Sequence, residues 1–226
     1  MSLVLFDIDG TLLRGAGPHH KNALIDGVRR VTGLSANFEG IDTSGQLDRD
    51  LITALLRSAG ADEVDLAAVI EEIANECQRA YCTNCAADLS GFVCRGAREA
   101  LSQLREYGAV LGLVTGNLSE IGWRKMELAG LRNFFSFGSF SEDGTTRAEL
   151  ARVAVSRACD QKLASAGCRV SLIGDHANDI RTAQANGFQA IAVASGVMPA
   201  AELARYSPDI LLNNLSELDC RAMMSS

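Results

Sequence analysis

Within its first dozen residues the chain commits to one kind of architecture. Leu3-Val4-Leu5-Phe6 is an unbroken apolar run, and a strand without polar alternation is buried on both faces. Such a strand needs a sheet covered by helices on each side. The run ends at once in Asp7-Ile8-Asp9-Gly10-Thr11-Leu12. A buried strand ending in Asp-x-Asp presents two acids at its carboxyl end, the edge along which open α/β sheets place their ligand crevice. Two anions this close repel unless a positive group lies beside them, and a hard divalent cation is the common solution. The same residues also fit an ordinary turn at a solvated strand end, so the rest of the chain decides.

After Leu13 the strand–helix alternation is interrupted. Arg14-Gly15-Ala16-Gly17-Pro18 reads as a linker, and three helically spaced segments follow, over residues 20–32, 47–58 and 65–81. In the third, Leu66, Val69, Ile70, Ile73, Cys77 and Ala80 share one face and Glu71, Glu72, Glu76 and Gln78 another. Alternation resumes at Gly96. Strands are predicted over 109–114, 169–173, 189–193 and 208–212, with helices over 97–107, from 119 to the stop at Gly130, over 147–164, and from the end of the third strand to Gly187; a short apolar stretch lies around 134–137. This pattern predicts an α/β fold: a Rossmann-like parallel sheet with helices on both faces, plus a helical insert after the first strand. The expected division is a core of residues 1–14 and 91–226 and an insert of residues 15–90.

The 226 residues suit one large domain or a core with a smaller insert. A formal net charge of −7 supplies no cationic surplus for nucleic acid or an anionic membrane. No apolar run is long enough to span a bilayer, and a strand starting at residue 3 leaves no room for a leader, so the expected location is cytoplasmic. Seven cysteines suit reduced thiols. Cys77, Cys82, Cys85 and Cys94 fit either a zinc or redox cluster or small side chains buried one by one.

Three predicted strands end in polar residues: Asp7 and Asp9, then Thr115-Gly116-Asn117, then Gly174-Asp175 with Asp179 beyond. In a parallel sheet these endings share one edge. Taken singly, Thr115 also reads as a helix cap and Asp179 as a solvated residue of a first helical turn.

Together the three endings resemble the first, second and fourth motifs of the haloacid dehalogenase-like hydrolases, and in particular the phosphoglycolate-phosphatase-like branch. The residues that carry the likeness are Asp7-Ile8-Asp9-Gly10-Thr11-Leu12, Leu113-Val114-Thr115-Gly116-Asn117 and Ile173-Gly174-Asp175-His176-Ala177-Asn178-Asp179. The insert corresponds to that family's helical C1 cap. The resemblance implies a Mg²⁺-dependent phosphatase acting on a small phosphorylated metabolite. Asp7 would be the nucleophile and Asp9 the general acid and base. Mg²⁺ would be held by Asp7, the Asp9 carbonyl, Asp175 and Asp179. Gly10, Thr115, Gly116 and Asn117 would bind phosphate.

The third motif departs from the family, which supplies a lysine there. The region reads Glu142-Asp143-Gly144-Thr145-Thr146-Arg147, so Arg147 is the expected substitute, set against a surface arginine early in a helix. Lys125 and Lys162 are fallbacks, expected on solvated helix faces. Asp9 argues against dehalogenase activity, because the family's dehalogenases lack a second acid. A sugar phosphomutase of the same fold is the alternative, with His19 and His20 near a cap hinge, and a non-catalytic phosphate-binding protein is another. Arg14, His19, Gln46 and Arg49 are candidate substrate contacts.

Overall fold

The computed structural model describes residues 2–61 and 66–225. Six strands form one parallel sheet: β1 (Ser2–Phe6), β2 (Val110–Val114), β3 (Phe137–Ser139), β4 (Arg169–Gly174), β5 (Gln189–Val193) and β6 (Ile210–Leu212). Their spatial order is β3-β2-β1-β4-β5-β6. The chain winds outward from β1 through β2 to β3, then crosses back to continue from β4 on the other side. β1 therefore pairs with β2 through Leu3–Val110 and Phe6–Leu113, and with β4 through Leu3–Val170 and Phe6–Ile173. This is the topological switch point, and the carboxyl ends of β1, β2 and β4 open onto one crevice.

Successive residues of β1 point to opposite faces. Val4 and Phe6 pack in one core with Leu101, Leu104, Met126 and Met223, contributed by the helices α4 (Ala97–Glu106), α5 (Ser119–Leu128) and α9 (Cys220–Ser225). Leu3 and Leu5 pack in the other with Leu150 and Ala154 of α6 (Arg147–Asp160) and Ile180 and Ala183 of α7 (Ala177–Asn186). Each large side chain so buried contributes roughly 1.5–3 kcal/mol. The unbroken apolar run is thus explained by two cores meeting at one strand.

Between β1 and β2 lie α1 (His19–Thr32), α2 (Asp48–Ser58) and α3 (Leu66–Asn84). They close around a third core of Leu24, Val28, Ile52, Leu55 and Ile73, which also takes in Leu118 and Ile121 at the start of α5. Asp65, the expected start of the third helix, and the side chain of Leu66 lie outside the described residues.

Several boundaries differ from the sequence reading; the third helix runs on to Asn84 and the last strand begins only at Ile210. The apolar stretch near 134–137 continues into β3, a three-residue edge strand preceded by a single 3-10 turn. The helix expected to reach residue 164 ends at Asp160. Cys77 belongs to the helical core and Cys94 to the sheet core, while Cys82 is exposed. Among the described residues the His, Cys, Asp and Glu side chains close enough to share a metal are Asp7, Asp175 and Asp179, with no cysteine in the group. No helix among the described residues, α8 (Ala200–Leu203) included, is long and apolar enough to cross a membrane.

Candidate active site

Asp7 continues β1 by one residue, its N–H donating to the Ile173 carbonyl at 3.0 Å. Gly10 follows with φ +92°, and a Cβ there would collide with the Asp175 carboxylate. Only glycine allows both the turn and this approach. Thr11 then donates its hydroxyl to Asp175 Oδ1 at 3.0 Å, tying the end of β4 to that of β1. Asp179, in the first turn of α7, accepts the His176 N–H at 3.0 Å and so completes a capping box.

Oxygens of Asp7, Asp175 and Asp179 come within 4.8 Å of one another, and all three residues are buried. The cation facing them is Arg147, the first residue of α6, whose helix is capped by the Thr146 hydroxyl. Its Nη1 lies 2.6 Å from Asp179 Oδ1 and its Nη2 3.5 Å from Asp7 Oδ1. Its side chain is only 10% exposed, so it is no surface residue. Burial pushes Asp7 up to about 7: Arg147 offsets part of the rise, and Asp179 and Asp9 add to it. Burial, with repulsion from Asp7 and Asp179, pushes Asp175 up to about 8. Three buried carboxylates sharing one guanidinium form an oxygen donor set with surplus negative charge, which suits a hard divalent cation.

Asp9, two residues from Asp7, stands in the opposite surroundings. Lys125 Nζ lies 2.6 and 2.8 Å from its two oxygens, and Asn117 Nδ2 donates to Oδ2 at 2.8 Å. Desolvation works to raise its pKa, but Lys125, His20 and the hydrogen bonds from Lys125 and Asn117 outweigh it and hold Asp9 down to about 2. Lys125 also donates to Asn117 Oδ1 at 2.6 Å and meets His20 Nδ1 at 3.1 Å. His20 Nε2 pairs in turn with Asp48 Oδ2 at 2.8 Å, and the Leu118 N–H donates to the same oxygen at 2.8 Å.

The segment before α2 is stitched over this edge of the sheet. The Gly45 carbonyl accepts from Arg147 Nε at 3.2 Å and from Asn178 Nδ2 at 2.9 Å, and the Asp48 N–H donates to the Gly116 carbonyl at 2.8 Å. Between the helical segment and the sheet edge lies a cavity of about 390 Å³, lined by Asp7, Asp9, Lys125 and Arg147 among others.

Arg14 and Gln46 line this cavity with exposed side chains. His19 does not line it; its neighbour His20 does. Arg49 also stays outside and pairs with Glu71 at 2.5 Å. Thr115 is fully buried, its oxygen accepting from Asn117 Nδ2 at 2.7 Å, which leaves its own O–H to donate. Lys125 corrects the expectation of a solvated helix face: it is 2% exposed and lies inside the site. Its position carried a signal, because Ile121, Gly122 and Met126 are also buried and Lys125 falls on the same helical stripe. In the sequence Asp48 and Thr11 stand out only as members of longer stretches, 45–48 and 7–12, with no role of their own. Asp48 sits one turn before Leu51 and Ile52 on the buried face of α2.

A family model described as haloacid dehalogenase-like hydrolase matches residues 1–187. No curated protein matches the chain. Among solved structures, a predicted phosphatase from Clostridium acetobutylicum is similar with a TM-score of 0.69 and 20% identity, covering 100% of this chain and 99% of that one. A β-phosphoglucomutase from Clostridium difficile has a TM-score of 0.69 and 14% identity, with 99% and 95% covered. A predicted phosphoglycolate phosphatase from Haemophilus somnus has a TM-score of 0.64 and 16% identity, with 95% of each chain covered. At these identities the likeness is one of fold.

Proposed function

The chain belongs to the haloacid dehalogenase-like hydrolase family, and we propose that it is a phosphatase that hydrolyses a small phosphorylated metabolite through an aspartyl-phosphate intermediate. One observation carries the reading. Two acids two residues apart stand in opposite surroundings, Asp7 beside Asp175 and Asp179, Asp9 against Lys125 and Asn117. Environments that push a pair of acids apart divide the work between them.

Asp7 attacks phosphorus in line, its bond to phosphorus forming as the bond to the leaving oxygen breaks. The leaving oxygen takes its proton from Asp9. In the resting site Asp9 is a carboxylate; a dianionic ester drawn up beside it raises its proton affinity, so Asp9 takes up a proton from solvent as the ester binds and passes that proton to the leaving oxygen. Water then attacks the phosphoaspartate, Asp9 accepts the water's proton, and phosphate departs with Asp7 restored. Arg147, the Thr115 hydroxyl and backbone N–H groups near Asp9, Gly10, Gly116 and Asn117 hold the phosphoryl oxygens, at no cost in reorganisation as charge moves. Asp7, Asp175, Asp179 and the Asp9 carbonyl would hold Mg²⁺, which when bound supplies positive charge against the phosphoryl oxygens. Residues 15–90 act as a cap over the core of residues 1–14 and 91–226, excluding water while Arg14 and Gln46 meet the leaving group.

The test is phosphate release from 4-nitrophenyl phosphate, then from sugar phosphates and phospho-acids, with Mg²⁺ and with EDTA, beside Asp7→Asn. Metal-dependent release that vanishes in Asp7→Asn is the expected result. Silence across the whole panel, or release that survives in Asp7→Asn, would overturn the reading. A phosphomutase is the second reading, favoured by His20 on the cap reaching Asp9 through Lys125. Isomerisation of a sugar phosphate without phosphate release would select it.

A further inference from the structure

We infer that Lys125 is a positioning residue for proton transfer: its buried ammonium, anchored by Asn117 and His20, fixes both oxygens of Asp9 against the leaving group. The inference rests on the phosphatase reading and adds a residue to it.

The two partners are unequally exposed. The Asp9 side chain is 49% exposed and that of Lys125 only 3%. A half-exposed carboxylate has rotational freedom that a proton donor cannot use, since proton transfer needs hydrogen-bond reach and alignment. Lys125 has three N–H donors: one is shared between Asp9 Oδ2 at 2.6 Å and Oδ1 at 2.8 Å, one goes to Asn117 Oδ1 at 2.6 Å and one faces His20 Nδ1 at 3.1 Å. The ammonium is therefore held from three directions. The anchors are themselves fixed. Asn117 also bonds Thr115 at 2.7 Å, and His20 is held by Asp48 at 2.8 Å. With Nδ1 accepting from Lys125, His20 carries its proton on Nε2 toward Asp48. Burying an ammonium costs several kcal/mol unless it is paired. Nothing in the packing of α5 requires a charge among Ile121, Gly122 and Met126. The placement is accounted for by what the charge grips, and that is Asp9.

The experiment compares kcat/KM of the full-length wild type, Lys125→Met and Lys125→Gln on esters that differ in leaving group. 2,4-Dinitrophenyl phosphate expels a stable anion and needs no proton. Methyl phosphate and glycerol phosphate expel alkoxides that do. The ratio kcat/KM reports through departure of the leaving group, before hydrolysis of the intermediate. Lys125→Met is expected to lower kcat/KM on the alkyl esters about 100-fold, the scale of general acid catalysis, and on the dinitrophenyl ester less than about threefold. Lys125→Gln, which keeps one donor toward Asp9, is expected to fall between. The dinitrophenyl ester doubles as the control for folding. A purely structural or charge-binding role for Lys125 lowers both ester classes by one factor, and that result would overturn the inference while leaving the phosphatase reading intact. If Lys125→Met fails to fold, the same comparison is read from Lys125→Gln. A wild type inert toward every ester overturns the phosphatase reading itself, and this inference with it.

Discussion

Arg147 Nη1 lies 2.6 Å from Asp179 Oδ1, and the Nε of the same guanidinium reaches the Gly45 carbonyl, which belongs to the helical segment. A lysine, with one nitrogen, could hold the carboxylates but not span to the segment at the same time. One planar cation thus joins the acidic cluster to the element above it.

Arg147→Lys is expected to keep the fold and lose about tenfold in kcat/KM, because charge survives and the contact to Gly45 does not. Arg147→Met leaves three buried carboxylates with no cation, a change of roughly 3–5 kcal/mol in metal-free protein. Urea unfolding with and without Mg²⁺ checks this. Equal losses in both buffers would show that Arg147 does not compensate these acids.

The acid cluster also sets a pH dependence. Asp7 and Asp175 are pushed up to about 7 and 8, so between pH 4 and 8 these two groups bind more protons in the folded protein than in the unfolded chain. Their contribution to metal-free stability is complete below about pH 4 and is lost as pH rises through 7 to 8. A divalent cation binds the deprotonated acids, so its stabilisation runs the other way. The rise in melting temperature on adding a fixed Mg²⁺ concentration should be larger at pH 8.5 than at pH 6. Below these pKa values apparent affinity should fall about tenfold for each unit that pH is lowered, per proton displaced. A Tm increment independent of pH would mean the acids are already ionised.

Gly116 lies under the segment before α2, and a Cβ there would collide with the Gln46 carbonyl. Gly116→Ala should push that segment off the sheet edge, loosening Leu47 where it packs in one core with Leu3 and Leu5. The expected outcome is a several-fold rise in KM with a modest fall in Tm, read by steady-state kinetics and scanning calorimetry. A large fall in Tm with unchanged KM would contradict it.

Asp48 is 2% exposed and accepts from both His20 and the Leu118 N–H. Asp48→Ala leaves a buried N–H without its acceptor, at a cost of about 1–3 kcal/mol. It also frees His20 and, through it, one anchor of Lys125. Urea midpoints measure the first effect. A shift below about 0.5 kcal/mol would show that water replaces the carboxylate there.

Periodicity and strand-end residues were enough to identify the double-layered parallel sheet, the helical segment after β1, and Asp7, Asp9, Thr115 and Asp175 at the ends of three strands. Each is a local pattern: an apolar run for a doubly buried strand, a 3.6-residue stripe for a helix, and a short polar sequence where a strand stops. β3 was not legible because three residues at a sheet edge show no periodicity. Pairing was left to tertiary structure. Lys125 sits 116 residues from Asp9, and Arg147 140 residues from Asp7. A lysine on a helix looks the same in sequence whether it faces water or a carboxylate. Only the winding that brings α5 and α6 over the ends of β1 and β4 decides which acid each cation meets, and so why Asp7 and Asp9, two residues apart, hold protons so differently.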